Sequence, residues 1–191
     1  MRKILTVLMP ALVFTLLAGC PFQTRPDIPE VESRIREICE IPGYEHIYRD
    51  IIYIDEKTSF LAIPVVDKRL LFSVDVRVQA GIDLNEGFTV EKVSRGTIRV
   101  LLPPAQILLA DADEQSIRQY FLKEFGGQVS RLEYYDEIQR KKNELIEDAL
   151  KRGILNRAEA NVKKVIENFL QLSGYDTVIF EQLKKGDRDA G

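Results

Sequence analysis

The sequence of 191 residues contains no tryptophan, two cysteines and a single histidine, His46. One histidine cannot build a zinc site that needs several, and no CxxC pair is present to replace it. Two cysteines cannot form the disulfide framework of a small secreted scaffold. The sequence also shows no spacing typical of a Ser-His-Asp triad. We therefore expect no metal, no cofactor and no catalytic residue that can be assigned from a motif.

The chain also lacks an excess of positive charge. It has 27 lysine and arginine residues against 30 aspartate and glutamate residues, which gives a formal net charge of −3. Nucleic-acid binding normally requires a basic patch or a basic domain. A mildly acidic surface of mixed sign therefore predicts no nucleic-acid partner.

The N-terminus carries the most specific signal in the sequence. Residues 1–3 are Met-Arg-Lys, and an apolar stretch follows over Ile4–Leu17. This stretch is shorter than the roughly 20 apolar residues of a transmembrane helix, and the arrangement is typical of a secretory signal peptide over residues 1–19. Leu17-Ala18-Gly19-Cys20 resembles the lipobox of bacterial lipoproteins, which implies that Cys20 carries the lipid. An uncleaved anchor and an ordinary secreted protein are the alternatives.

This signal predicts how the rest of the chain is organised. Residues 20–34 contain several prolines and read as a lipidated tether, because proline keeps a segment extended. Residues 35–182 are expected to form one domain, and residues 183–191 a charged tail. The membrane, reached through the lipid on Cys20, is the predicted partner. The protein is predicted to lie in the cell envelope, facing the periplasm or the outer surface, and Pro21 leaves the choice of membrane open.

Two-residue periodicity predicts the strands. Leu70–Ile82 alternates strictly between apolar and mostly polar residues, which is typical of a strand with one buried face. A second strand is predicted over Tyr44–Asp55. Phe88–Val93 and Thr97–Leu102 are expected to form a hairpin, and Thr177–Glu181 a last short strand.

Helical spacing predicts the remaining elements. Apolar residues fit one helix face over Ile28–Glu40, over Arg131–Arg152 and in a helix that Asn156 would cap. Residues after Asp111-Ala112-Asp113-Glu114, and Tyr120–Phe125, are also expected to be helical. The predicted fold class is α+β, with a largely antiparallel sheet followed by two C-terminal helices and a short last strand. The helices are expected on one face of the sheet.

Several segments together resemble a bacterial protein family. They are Ala80-Gly81-Ile82-Asp83-Leu84, the run Thr97–Leu108 with its Pro103-Pro104, the acidic Asp111–Asp113, and Gly153-Ile154-Leu155. The chain resembles domain-of-unknown-function family 4230 over roughly residues 35–182. The resemblance implies the extent of the domain and an exported, membrane-anchored protein. It implies no catalytic residue, because the family has no assigned activity.

Three carboxylates are candidate ligand or metal positions. Asp111 and Asp113 alternate in an acidic segment, and carboxylate oxygens are the ligands that calcium prefers. Asp83 follows a glycine inside a strand. The structural alternatives are a helix cap for the acidic pair and a turn around Asn85 for Asp83. These structural roles are favoured over a metal site.

Two hypotheses of function follow. The favoured one is a noncatalytic envelope lipoprotein whose domain is an interaction or scaffold module that binds an envelope protein or itself. Exposed sheet edges at residues 44–55 or 97–102 would permit self-association by strand pairing. The alternative is an envelope enzyme or small-ligand binder that uses Asp83, Asp111 and Asp113.

Overall fold

Three long strands form the main sheet of the protein. The computed structural model describes residues 27–183. The strands are β1 (Glu40–Phe60), β2 (Ile63–Asp83) and β5 (Gln106–Phe125), in the antiparallel order β1-β2-β5. β1 and β2 each contain 21 residues, so this hairpin extends over about 65 Å at 3.3 Å per residue. The elongated hairpin is the dominant feature of the fold.

A second, smaller sheet lies beside the base of this hairpin. It contains β3 (Thr89–Ser94), β4 (Thr97–Leu102) and β6 (Thr177–Gln182) in the order β3-β4-β6. β3 and β4 form the predicted hairpin, and β6 pairs with β4 in parallel. Residues 97–102 therefore offer no exposed edge for strand pairing, because β4 has a neighbour on both sides.

The described residues contain three α-helices. They are α1 (Ile28–Arg36), α2 (Arg131–Lys151) and α3 (Ile154–Leu172). The fold class is α+β, as the sequence predicts: an antiparallel sheet, then two helices and a short final strand. Within residues 27–183 no helix is both long enough and apolar enough to cross a membrane.

The ends of these helices correct two sequence predictions. α1 ends at Arg36, four residues before the predicted Glu40, and Cys39 reverses the chain at a φ of 60°. α3 begins at Ile154 instead of after Asn156, because Gly153 at a φ of 76° already supplies the turn between α2 and α3. Glycine adopts this conformation without steric penalty.

The most consequential correction concerns β5. Residues 111–114, expected to cap a helix, and residues 120–125, expected within a helix, lie in one 20-residue strand that pairs with β2. Three register shifts between β2 and β5 interrupt the alternation of side chains. These irregularities remove the two-residue period on which strand prediction depends.

Helix α3 joins the two halves of the core. The predicted buried row of β2, from Leu70 to Ile82, is confirmed on one face of the main sheet. Ala158, near the start of α3, packs with the β2 row, whereas Leu170, near its end, packs with β4 of the small sheet. The other face of the main sheet receives no helix in the described part of the chain, and we call it the open face.

Candidate interaction surface

The open face carries exposed apolar side chains in cross-strand rows. β1 contributes Ile47, Ile51 and Tyr53, which are all at least half exposed. In one row Tyr53 lies opposite Leu71, which lies opposite Phe121 of β5. Large exposed apolar residues that lie next to one another, unlike scattered single ones, mark sites of association. The open face therefore has the composition of a contact surface.

Ion pairs fill the gaps between these apolar residues. The Arg49 guanidinium donates two hydrogen bonds of 2.7 Å to the Asp75 carboxylate across β1 and β2. These hydrogen bonds hold the pKa of Asp75 below its usual range. Nearer the tip, Asp67 accepts hydrogen bonds from Arg69 and Lys123, and its pKa is lowered chiefly by Lys123. These pairs fix side chains of the open face in place.

Strand β1 forms an edge of the main sheet. Its pairing with β2 is continuous from Tyr44 to Thr58, with irregularities only at Pro42/Tyr44 and Thr58/Ser59. β5, the opposite edge, contains three irregularities along its length. Bulges protect an edge from pairing with another chain. The β1 edge, which includes residues 44–55, is the less protected of the two.

The structure places Asp111 and Asp113 together on this open face. Asp111 lies opposite Arg77, and Asp113 lies opposite Asp75. The residues around them line a shallow depression of about 590 Å³. Asp113 also shapes its own strand, because its Oδ1 accepts a 3.0 Å hydrogen bond from the backbone N–H of Gln115. The expected helix-capping role is wrong, since the pair lies within β5.

Asp83 lies apart from this pair. It is six residues beyond Arg77 on β2, which corresponds to about 20 Å along the strand. Its Oδ1 accepts hydrogen bonds of 2.9 Å from the backbone N–H and from Nδ2 of Asn85. This is the turn-forming role that the sequence suggested. Among residues 27–183 no group of three or more potential metal-binding side chains is assembled.

Of the two cysteines, only Cys39 lies within the described residues. Cys20, the predicted lipid-attachment site, lies outside the described residues, as do residues 21–26 of the tether and residues 184–191 of the tail. Cys39 is exposed and is a free thiol between α1 and β1. The anchor remains a prediction from the sequence, whereas residues 28–34, predicted as part of the extended tether, lie in α1.

A groove that the sequence did not suggest lies on the helix side of β1. Tyr44, His46 and Tyr48 line it together with Arg152 and Arg157, around a volume of about 320 Å³. Arg157 Nη1 donates a 3.2 Å hydrogen bond to Tyr44 Oη, and its guanidinium lies 5.5 Å from the centre of that ring. Burial, reinforced by a nearby aspartate, raises the pKa of Tyr48. These contacts attach β1 to the α2–α3 turn.

The far end of the long hairpin is a two-stranded tip. β5 ends opposite Asp67, so only β1 and β2 continue beyond that level. Phe60 pairs with Ile63, and the turn between them is Leu61-Ala62. Phe60 is 69 % exposed, Leu61 82 % and Ile63 67 %. The hairpin therefore ends in apolar side chains that contact little of the described chain.

A buried lysine, Lys68, lies next to the N-terminal end of α2. Lys68 Nζ lies 2.5 Å from Glu56 and 2.9 Å from Glu133, which is in the first turn of α2. The Ser130 backbone N–H and the Lys68 ammonium stabilise the carboxylate of Glu133 and lower its pKa to about 2. This cluster fixes α2 to the hairpin below the apolar tip.

Comparison with known proteins gives one match. A family model described as protein of unknown function (DUF4230) matches residues 33–180. The chain belongs to the DUF4230 family. No curated protein and no solved structure matches it. The family assignment agrees with the resemblance found in the sequence and supplies no activity.

The segments that carried the DUF4230 resemblance have structural roles here. Gly81 lies where β1 approaches so closely that a Cβ would come within 2.2 Å of the Ile41 carbonyl oxygen. Thr97–Leu102 is the central strand of the small sheet, and Gly153 forms the turn between the two long helices. These residues build the scaffold on which the open face and the hairpin tip are displayed.

Proposed function

We propose that this chain is a membrane-anchored envelope lipoprotein, and that its domain is a noncatalytic scaffold that binds a second copy of itself. The observation that carries the proposal is the β1 edge, which pairs regularly from Tyr44 to Thr58 on one side only. A long, regular edge with exposed apolar residues is a ready template for strand pairing. The lipobox-like sequence around Cys20 supports the anchor.

The charges of β1 favour an antiparallel pair related by a two-fold axis at Ile51. Glu45 and Lys57 are each six residues from Ile51, so Glu45 of one copy lies opposite Lys57 of the other. Opposite charges across strands stabilise pairing, and like charges oppose it. A two-fold contact of this kind closes on itself and leaves no further β1 edge exposed.

The size of such a contact is also suitable. Standard interfaces use about 20–30 residues from each partner, and β1 alone supplies 21. The exposed apolar side chain of Ile51, 58 % accessible in the single chain, would lie against its own copy on the axis. The pairing would therefore bury apolar surface as well as form backbone hydrogen bonds.

Crosslinking in intact cells tests this function. The full-length protein is crosslinked and analysed by mass spectrometry beside a Cys20→Ala variant, with the N-terminal peptide of each sample examined for acyl chains. We expect an acylated Cys20 and crosslinks between two copies that decrease when the anchor is removed.

Other outcomes would contradict the proposal in distinct ways. Reproducible crosslinks to a different envelope protein alone would contradict self-association. An unacylated N-terminus would contradict the anchor. An absence of any specific crosslink would contradict the scaffold role, and would favour the small-ligand alternative at Asp111 and Asp113.

A further inference from the structure

The turn at the hairpin tip has an unusual composition for its geometry. Leu61 and Ala62 adopt φ values of 48° and 66°. A two-residue hairpin turn with two positive φ angles strongly favours Asn-Gly, because other L-residues are disfavoured in this conformation. Backbone strain of this kind persists mainly where function requires it. The presence of leucine and alanine here indicates a role for apolar side chains at the apex.

The neighbours of this turn are also apolar. The nine residues from Thr58 to Val66 contain no charged side chain, and each of residues 59–65 is exposed. Phe60 and Ile63 are partners on one face of the hairpin, and Pro64 lies opposite Ser59 in the adjacent pair. Because side chains of adjacent pairs point to opposite faces, apolar groups are exposed on both faces and at the apex.

We propose that this tip, residues 58–66, inserts into the interfacial region of a lipid bilayer. A protein groove would require apolar side chains on one face, whereas lipid surrounds an inserted element on every side. The strands remain paired up to Phe60 and Ile63. The backbone groups on the outer edges of this two-stranded tip would stay in contact with water and headgroups, because the tip enters only the interface.

The length of the uncharged segment sets the greatest depth of insertion. From the level of Thr58 and Val66 to the apex is three to four residues, or about 12 Å. Amphipathic elements at a membrane surface insert by about 5–10 Å. The charged residues Lys57 and Asp67, which pair directly behind the tip, would remain among the headgroups. The uncharged tip is therefore long enough to enter the interface and too short to span the bilayer.

The inference rests on the proposed function for the nearness of a bilayer. The segment from Cys20 to Ile28 reaches at most about 29 Å, whereas the tip lies about 65 Å from the base of its own hairpin. In the proposed two-fold pair, Leu61 of one copy lies level with Ile41 of the other, because each is ten residues from Ile51. The two hairpins then point in opposite directions along the bilayer surface, so that each tip lies beside the anchored end of its partner and enters the interface at a tilt.

A fluorescent label at the turn tests this contact. The full-length protein, carrying Cys39→Ser and Ala62→Cys, is labelled with the polarity-sensitive dye NBD. It is then reconstituted in phosphatidylethanolamine–phosphatidylglycerol vesicles that contain nitroxide lipids. A label at Gln115→Cys, an exposed position in the middle of β5, is the matched control. Addition of Leu61→Asn to the tip-labelled chain removes the apolar apex while suiting the turn.

We expect the emission of the tip label to shift to shorter wavelength and to be quenched by nitroxide lipids. The Gln115→Cys label should remain unquenched, and Leu61→Asn should reverse both signals of the tip label. A tip label that remains unquenched while Cys20 is acylated would overturn the inference and leave the proposed anchor intact. Quenching at the tip of an unacylated chain would support the inference and contradict the anchor. A blue shift without quenching would show a protein contact and would also overturn the inference.

Discussion

Replacing Leu61 with Asn and Ala62 with Gly should stabilise the hairpin although it removes apolar side chains. Both residues have positive φ angles, which cost an ordinary L-residue roughly 1–2 kcal/mol each. Leu61 is 82 % exposed, so little burial is lost. The added glycine increases the entropy of the unfolded chain and offsets about 0.5–1 kcal/mol of the gain. Asparagine is itself an L-residue and relieves only part of the cost at position 61, so the expected net stabilisation is about 1 kcal/mol, the lower end of what these figures allow.

Two measurements on the full-length protein report this gain. If the tip unfolds with the core, Tm should rise by about 2–4 °C, the shift typical of 1 kcal/mol in a domain of this size. If the tip opens separately, hydrogen exchange at Phe60 and Ile63 should slow by about fivefold, the equivalent of 1 kcal/mol, without a change in Tm. Gly153→Ala is the control, because it introduces a Cβ at a φ of 76° with no heavy atom within 4 Å; it should destabilise by about 1 kcal/mol.

The reasoning about the tip would be refuted if the Asn-Gly variant were less stable by both measurements. Such a result would mean that Leu61 and Ala62 contribute stability through contacts of their own. The turn would then need no functional explanation, and the main observation behind membrane insertion would be lost.

Three further predictions concern the scaffold. In urea titrations, Leu170→Ala should reduce the free energy of unfolding by about 2–5 kcal/mol, because Leu170 is 0 % exposed. The control Leu172→Ala, at a position that is 88 % exposed, should change it by less than about 0.5 kcal/mol. Gly43→Ala should cost about 1–3 kcal/mol in the same titrations, because its Cβ would lie 2.3 Å from the Ala158 carbonyl oxygen; an unchanged midpoint would show that α3 does not contact β1 there. Glu133→Gln should reduce the free energy of unfolding by a constant amount above pH 4.5, and this loss should disappear as the pH falls through about 2. The reason is that folding lowers the pKa of Glu133 from 4.5 to about 2, so the carboxylate stabilises the native chain only while it is ionised. A loss that is independent of pH would contradict the ion pair.

The sequence predicts the fold well where side-chain periodicity is regular. The buried row of β2 and the β3–β4 hairpin were visible because apolar residues alternate there without interruption. Strand β5 could not be predicted in this way, because its register shifts break the alternation. As a result, Tyr120–Phe125 resembles a helical segment. Pairing with a long neighbouring strand overrides local propensity in such a case.

The candidate surface was predictable only in part. The β1 edge was expected at residues 44–55, and the uncharged run from Thr58 to Val66 can be read directly from the sequence. Its position at an isolated hairpin tip depends on where β5 ends, which periodicity does not show. The groove between Tyr44 and Arg157 joins residues 113 positions apart in the chain, and only the packing of the α2–α3 turn on β1 brings them together.

Disulfide formation at Ile51 tests the central claim of self-association most directly. In intact cells, the full-length chain carrying Cys39→Ser and Ile51→Cys is exposed to a mild oxidant, and Leu109→Cys on the exposed β5 edge serves as the matched control. Pairing of two β1 edges about Ile51 predicts a disulfide-linked dimer for Ile51→Cys and none for Leu109→Cys. A dimer through Leu109→Cys alone, or no dimer from either position, would contradict the β1 interface.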